Sequence, residues 1–172
     1  MRKLKNNELK RITIEEFKIT KKKPIVIILD NIRSAHNVGS IFRTSDAFLI
    51  KKIILCGITP TPPSNDIRKS ALGSTESIDW EYQENTDKAV DKLKKEGYYI
   101  IGVEQAENST KIMDFKIKQP MALIFGHEIN GVDQDIINKC NEIIEIPQWG
   151  TKHSLNISVT AGIVLWKTTN ML

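Results

Sequence analysis

A chain of 172 residues with 25 Lys plus Arg, 21 Asp plus Glu and a formal net charge of +4 reads as one domain. At that length a single core removes roughly 70% of the unfolded chain's surface from water, so neither disulfides nor a metal are needed as staples. Hydrophobic residues at 40% and charged residues at 27% exclude a disordered or fibrous chain, and the longest clean apolar run, Ile25 to Leu29, is far shorter than a membrane span.

The charge is unevenly placed. Nine of the basic residues and three of the acidic ones fall in residues 1–23, a net +6, which leaves −2 for residues 24–172. The expected organisation is therefore a basic N-terminal arm, 1–23, followed by one folded domain, 24–172. Cys56 and Cys140 lie far apart and form no CxxC pair, as expected of reduced cytosolic thiols. The N-terminus lacks the apolar run of a signal peptide, and the expected location is the cytoplasm.

Taken in chain order, Thr13-Ile14-Glu15-Glu16 fits a capping box and predicts a short helix through about Phe17. The run Pro24 to Asp30 is apolar and rich in β-branched residues, the pattern of a strand buried on both faces in a parallel sheet. Similar runs recur at Lys52 to Gly57, Tyr98 to Val103, Met121 to Gly126 and Glu142 to Pro147, with a shorter strand expected at Ser77 to Tyr82. Helical patterns fall between them at Asn37 to Phe48, Thr86 to Lys95, Asp133 to Cys140 and Leu155 to about Thr168. The alternation predicts an α/β fold, a mostly parallel sheet with helices on both faces. Thr59 to Asp66, with three prolines, reads as a loop long enough to cover or bind something.

Ligands of open α/β sheets bind beyond the carboxyl ends of the strands. After the first run comes a polar loop leading into a helix with Arg33, Asn37 and Arg43. The fourth leads into Gly126-His-Glu128-Ile-Asn-Gly131, and the fifth into Gln148-Trp-Gly150 followed by Ser154-Leu-Asn156. There is neither a GxGxxG nor a GxxxxGK[ST] pattern, so a conventional dinucleotide site or P-loop is excluded. His36, His127 and His153 all lie in these loops, but their spacing matches no common metal-ligand pattern, and no metal is expected.

Three segments, Asn37-Val-Gly-Ser-Ile-Phe-Arg43-Thr, Ile124-Phe-Gly126-His-Glu128-Ile-Asn-Gly131-Val and Ile146-Pro-Gln-Trp-Gly150 through Ser154-Leu155-Asn156 to Ala161, resemble the three signature motifs of the SpoU (TrmH-like) branch of the SPOUT methyltransferases. Arg68-Lys69-Ser70-Ala-Leu-Gly73 resembles a further lysine/glycine segment of that family, and the likeness spans residues 24–170. The resemblance implies an α/β domain with a deep C-terminal trefoil knot. It also implies a homodimer, S-adenosylmethionine as methyl donor and transfer to a ribose 2′-hydroxyl of RNA. With only about 23 residues before the first strand, transfer RNA is the expected substrate and ribosomal RNA the second.

The resemblance implies a catalytic role for Arg43, either as a general base assisted by an RNA phosphate or as a clamp for phosphate and developing alkoxide. It implies Glu128 as the partner that orients Arg43, Asn37 as an active-site residue and Ser154 with Asn156 as hydrogen-bonding groups around ribose and Arg43. Read without the family, Asn37, Ser154 and Asn156 are helix caps and Glu128 is a loop carboxylate. Donor contacts are implied at Glu104, Gly126, Ile146, Gln148, Gly150 and Leu155; at position 148 the family usually carries Met. Arg33, Arg68 and Lys69 are expected to meet RNA, and Trp149 either stacks on a base or packs beneath its loop. The competing readings are a non-catalytic RNA-binding or ribosome-assembly protein that retains the fold, and a small-molecule α/β enzyme.

Overall fold

The computed structural model describes residues 1–170. Seven strands form one sheet in the order β3-β2-β1-β6-β4-β7-β5, and every pairing is parallel. They are β1 (Lys23–Asp30), β2 (Ile50–Cys56), β3 (Trp80–Gln83), β4 (Tyr99–Val103), β5 (Thr110–Lys111), β6 (Met121–Phe125) and β7 (Glu142–Glu145). Among the described residues seven α-helices connect or flank them, α1 (Ile14–Ile19), α2 (Ala35–Ala47), α3 (Asn65–Ala71), α4 (Ser74–Ser77), α5 (Thr86–Lys95), α6 (Gln134–Lys139) and α7 (Ile157–Asn170), with a short 3-10 turn at Asn6–Glu8.

Successive side chains of a strand point to opposite faces, and here each face has its own core. Ile25, Ile27 and Leu29 of β1 join Met121, Leu123 and Phe125 of β6 under α2, α3 and α7, whereas Val26, Ile28, Ala122 and Ile124 pack against α5 and α6. The expected strands are present with ends shifted by at most three residues, and the expected helix Thr86 to Lys95 is observed with those bounds.

The structure departs from expectation at the polar elements. Residues 65–77 form α3 and α4, separated by Leu72 and Gly73 in left-handed conformation, so the strand expected from Ser77 begins only at Trp80. Helix α2 begins earlier than Asn37. Ser34 is its cap, accepting the Asn37 backbone N–H at 3.2 Å, and Asn37 lies within the first turn. The Thr13 capping box forms as expected, and Phe17 of α1 is buried in the larger core.

Candidate active site

Loops leaving β4, β6 and β7 meet at the carboxyl edge of the sheet around a cavity of about 630 Å³, and the β1 loop is tied to its wall through Glu128. Glu104, Gly126, Glu128, Ile146, Gln148, Ser154, Leu155 and Asn156 all line it, eight of the residues picked out in the sequence. Gln105, which sequence reasoning missed, lines it too. Gly150 does not; a Cβ built there meets nothing within 4 Å.

The tightest part is a chain of side-chain hydrogen bonds drawn from three distant segments. Glu128 Oε2 accepts the Arg33 backbone N–H at 2.9 Å, and its Oε1 accepts Ser34 N–H at 3.0 Å and Asn37 Nδ2 at 3.3 Å. Asn37 Oδ1 in turn accepts Asn156 Nδ2 at 3.2 Å, and Asn156 Oδ1 caps α7 through Ser158 N–H at 2.9 Å. Asn156 therefore both caps a helix and joins the site. Ser154 makes no side-chain hydrogen bond among the described residues and does not cap α7.

Partial burial pushes the Glu128 carboxyl upward. Four hydrogen-bond donors, the backbone N–H groups of Arg33, Glu128 and Ser34 and the Asn37 amide, outweigh it and hold Glu128 below the ordinary carboxylate value. The carboxylate also sits beside the N-terminus of α2, where the helix dipole favours negative charge.

One expectation is corrected. Glu128 does not pair with Arg43: its oxygens are taken by backbone N–H groups and Asn37, and Arg43 has no hydrogen-bond or ion-pair partner among the described residues. Helix geometry gives the reason. Six residues put Arg43 about 9 Å along the axis from Asn37 and about a third of a turn around it, so it projects from another face, exposed to solvent. Arg33, Arg68 and Lys69 are exposed as well, Arg68 against Asn65 at 3.3 Å and Lys69 against Asp66 at 3.3 Å. Trp149 is 92% exposed, which removes the reading in which it packs beneath its loop.

Close backbone approach shapes the β6 loop. A Cβ on Gly126 would lie 2.2 Å from the carbonyl carbon of Gly131 and the nitrogen of Val132. Gly131 has φ +71°, and a Cβ there would lie 2.1 Å from Glu104 Oε2, which accepts Val132 N–H at 3.1 Å. His127 Nδ1 closes the turn by accepting Ile129 N–H at 3.0 Å and Asn130 N–H at 3.2 Å. Among the described residues no three His, Cys, Asp or Glu side chains converge as metal ligands.

Comparison with known proteins agrees with this architecture. The SpoU rRNA Methylase family matches residues 24–166, and the chain belongs to that family. A Staphylococcus haemolyticus protein described within the TrmH family of tRNA/rRNA methyltransferases is 32% identical over 142 residues, 83% of this chain and 57% of that protein. The chain thus spans somewhat over half the length of such relatives. The AdoMet-bound rRNA methyltransferase of Sinorhizobium meliloti superposes with a TM-score of 0.82 at 27% identity, covering 88% of this chain and 58% of that one. The Aquifex aeolicus TrmH/SpoU tRNA modifying enzyme superposes with a TM-score of 0.82 at 24% identity, covering 91% and 79%. The α/β fold is that of the knotted SpoU/TrmH methyltransferases.

Proposed function

We propose that the chain transfers a methyl group from S-adenosylmethionine to a ribose 2′-hydroxyl of RNA, with transfer RNA the favoured substrate and ribosomal RNA the second. The observation that carries this reading is the Glu128–Asn37–Asn156 chain at the edge of the cavity, built from three motifs that the sequence keeps far apart. The cavity fits the donor. Its volume falls within the roughly 300–1,000 Å³ of small-molecule sites, and Gly126, which lines it, lets the 131–132 backbone pack closely behind the wall. When bound, S-adenosylmethionine supplies a methyl group already activated on sulfonium.

The chain's own residues then have two tasks, alignment of the 2′-oxygen and management of its proton. Asn156 and Ser154 stand where they can bond a ribose hydroxyl, while Glu128 fixes the turn that carries Arg33 and Asn37. Arg43, exposed and without a partner among the described residues, is available to an RNA phosphate, and from there it assists either proton removal or the developing alkoxide. Purified protein should incorporate label from methyl-labelled donor into RNA, and Arg43→Ala should lower the rate at least 100-fold, on the order of losing one oxyanion donor. Undiminished activity in that variant would reject the role of Arg43. Mass spectrometry of the product should locate the methyl group on ribose.

The proposed assembly is a homodimer. Val159, Ile163 and Trp166 recur at helical spacing along α7 and are 51%, 37% and 60% exposed, an apolar stripe that a second copy would cover. Sedimentation of Trp166→Glu should give monomer where the parent protein gives dimer.

A further inference from the structure

We infer that Gln105 is a positioning residue: it holds the loop 147–155 in the shape that receives the methyl donor. The inference rests on the donor reading proposed above and adds to it a residue outside the three motifs. The loop joins β7 to α7, and residues 149–155 are all exposed. Among the described residues it makes one hydrogen bond, from Gln105 Nε2 to the His153 carbonyl oxygen at 2.7 Å. That single tether adjoins Ser154, Leu155 and Asn156, which line the cavity.

The tether starts from firm ground. Glu104 N–H bonds the Ile144 carbonyl oxygen at 3.1 Å, continuing the pairing of β4 with β7. The Glu104 carboxylate accepts Gln105 N–H at 2.8 Å and Val132 N–H at 3.1 Å. One dipeptide at the end of β4 therefore ties both donor-side loops, 126–132 through Glu104 and 147–155 through Gln105. Glu104, with its two oxygens engaged by backbone N–H groups, serves the same framework.

Ordering nine residues against one bond leaves the loop's competent population sensitive to that bond, since fixing each backbone residue costs conformational entropy. Donor affinity falls in proportion to the competent fraction. Losing one net hydrogen bond should therefore weaken donor binding about three- to tenfold.

Gln105→Glu tests this directly, because it keeps the shape of the side chain but cannot donate to a carbonyl. Gln105→Ala removes the arm, and Gln105→Lys restores a donor. Calorimetry with S-adenosylhomocysteine, without RNA, should show the three- to tenfold loss in the Glu and Ala variants and recovery in the Lys variant, at unchanged thermal midpoints. Trypsin cleavage after Lys152, measured without ligand, should accelerate severalfold in the Glu and Ala variants and return toward the parent rate in the Lys variant. Unchanged cleavage with weakened binding would mean that Gln105 touches the donor directly, and parental values in both assays would likewise overturn the positioning role. Failure of the parent protein to bind the analogue would instead reject the donor reading, and the cleavage rates would still decide whether the tether holds the loop.

Discussion

Glu128 gathers donors from three other residues, Arg33, Ser34 and Asn37, into one rigid corner, and its charge state decides whether the corner holds. Its folded-state pKa is depressed, so its contribution to stability is fully present above the unfolded-state value near 4.5 and is lost as pH falls through the folded value. In Glu128→Gln an amide N–H₂ replaces one acceptor oxygen and faces either Arg33 N–H or the Ser34 and Asn37 donors. The expected cost at neutral pH is about 1–3 kcal/mol. Urea midpoints of the two proteins should differ most near pH 7 and draw together in acid, as the parent carboxylate protonates. A gap that stays constant across this range would remove charge from the explanation. The residue was legible as a member of a motif but its partner was not. A carboxylate between glycines, in a set of motifs that also supplies Arg43, invites an ion pair, whereas the fold brings Arg33 and Ser34 N–H groups to it from about 95 positions away.

Elements with a single dominant signal were legible, and those formed by context were not. Helix α5 has buried Ala89, Val90 and Leu93 on one face and Gly97 with φ +82° just beyond its end, so pattern and stop signal coincide. Strand β5 has two residues and no apolar run, and it exists because β7 offers an edge to pair with at Ile144 and Glu145. Helix α3 begins immediately after a proline-rich stretch that reads as loop, yet Ile67, Ser70 and Ala71 are buried against α2. The contact is set at Gly39, where a Cβ would lie 2.1 Å from Ser70 Oγ and 2.4 Å from the Ile67 carbonyl oxygen. The serine could rotate away, but the carbonyl belongs to backbone, so the two helices must separate. Gly39→Ala should destabilise by about 1–3 kcal/mol in spite of alanine's better helix propensity. A gain in thermal midpoint would show that α3 can shift without cost.

At the scale of the whole molecule the charge asymmetry acquires a position. Phe17 docks α1 into the core, and Lys22 lies 4.3 Å above its ring, so the basic arm is anchored at its C-terminal end. Residues 1–11 bury no side chain; they carry Arg2, Lys3, Lys5, Lys10 and Arg11 against Glu8 alone, which Arg2 engages at 2.6 Å. That segment can be removed without touching the core, whereas removal through residue 20 would take Phe17 and confound binding with folding. Each phosphate neutralised releases counterions and steepens the fall of log affinity with log salt by about 0.7–0.9. Loss of a net +4 should therefore flatten the slope for transfer RNA by about 1–3, with the thermal midpoint and S-adenosylhomocysteine affinity unchanged. Fluorescence anisotropy across a salt series would measure it, and an identical slope in the shortened chain would leave RNA attraction to the exposed Arg33, Arg43, Arg68 and Lys69.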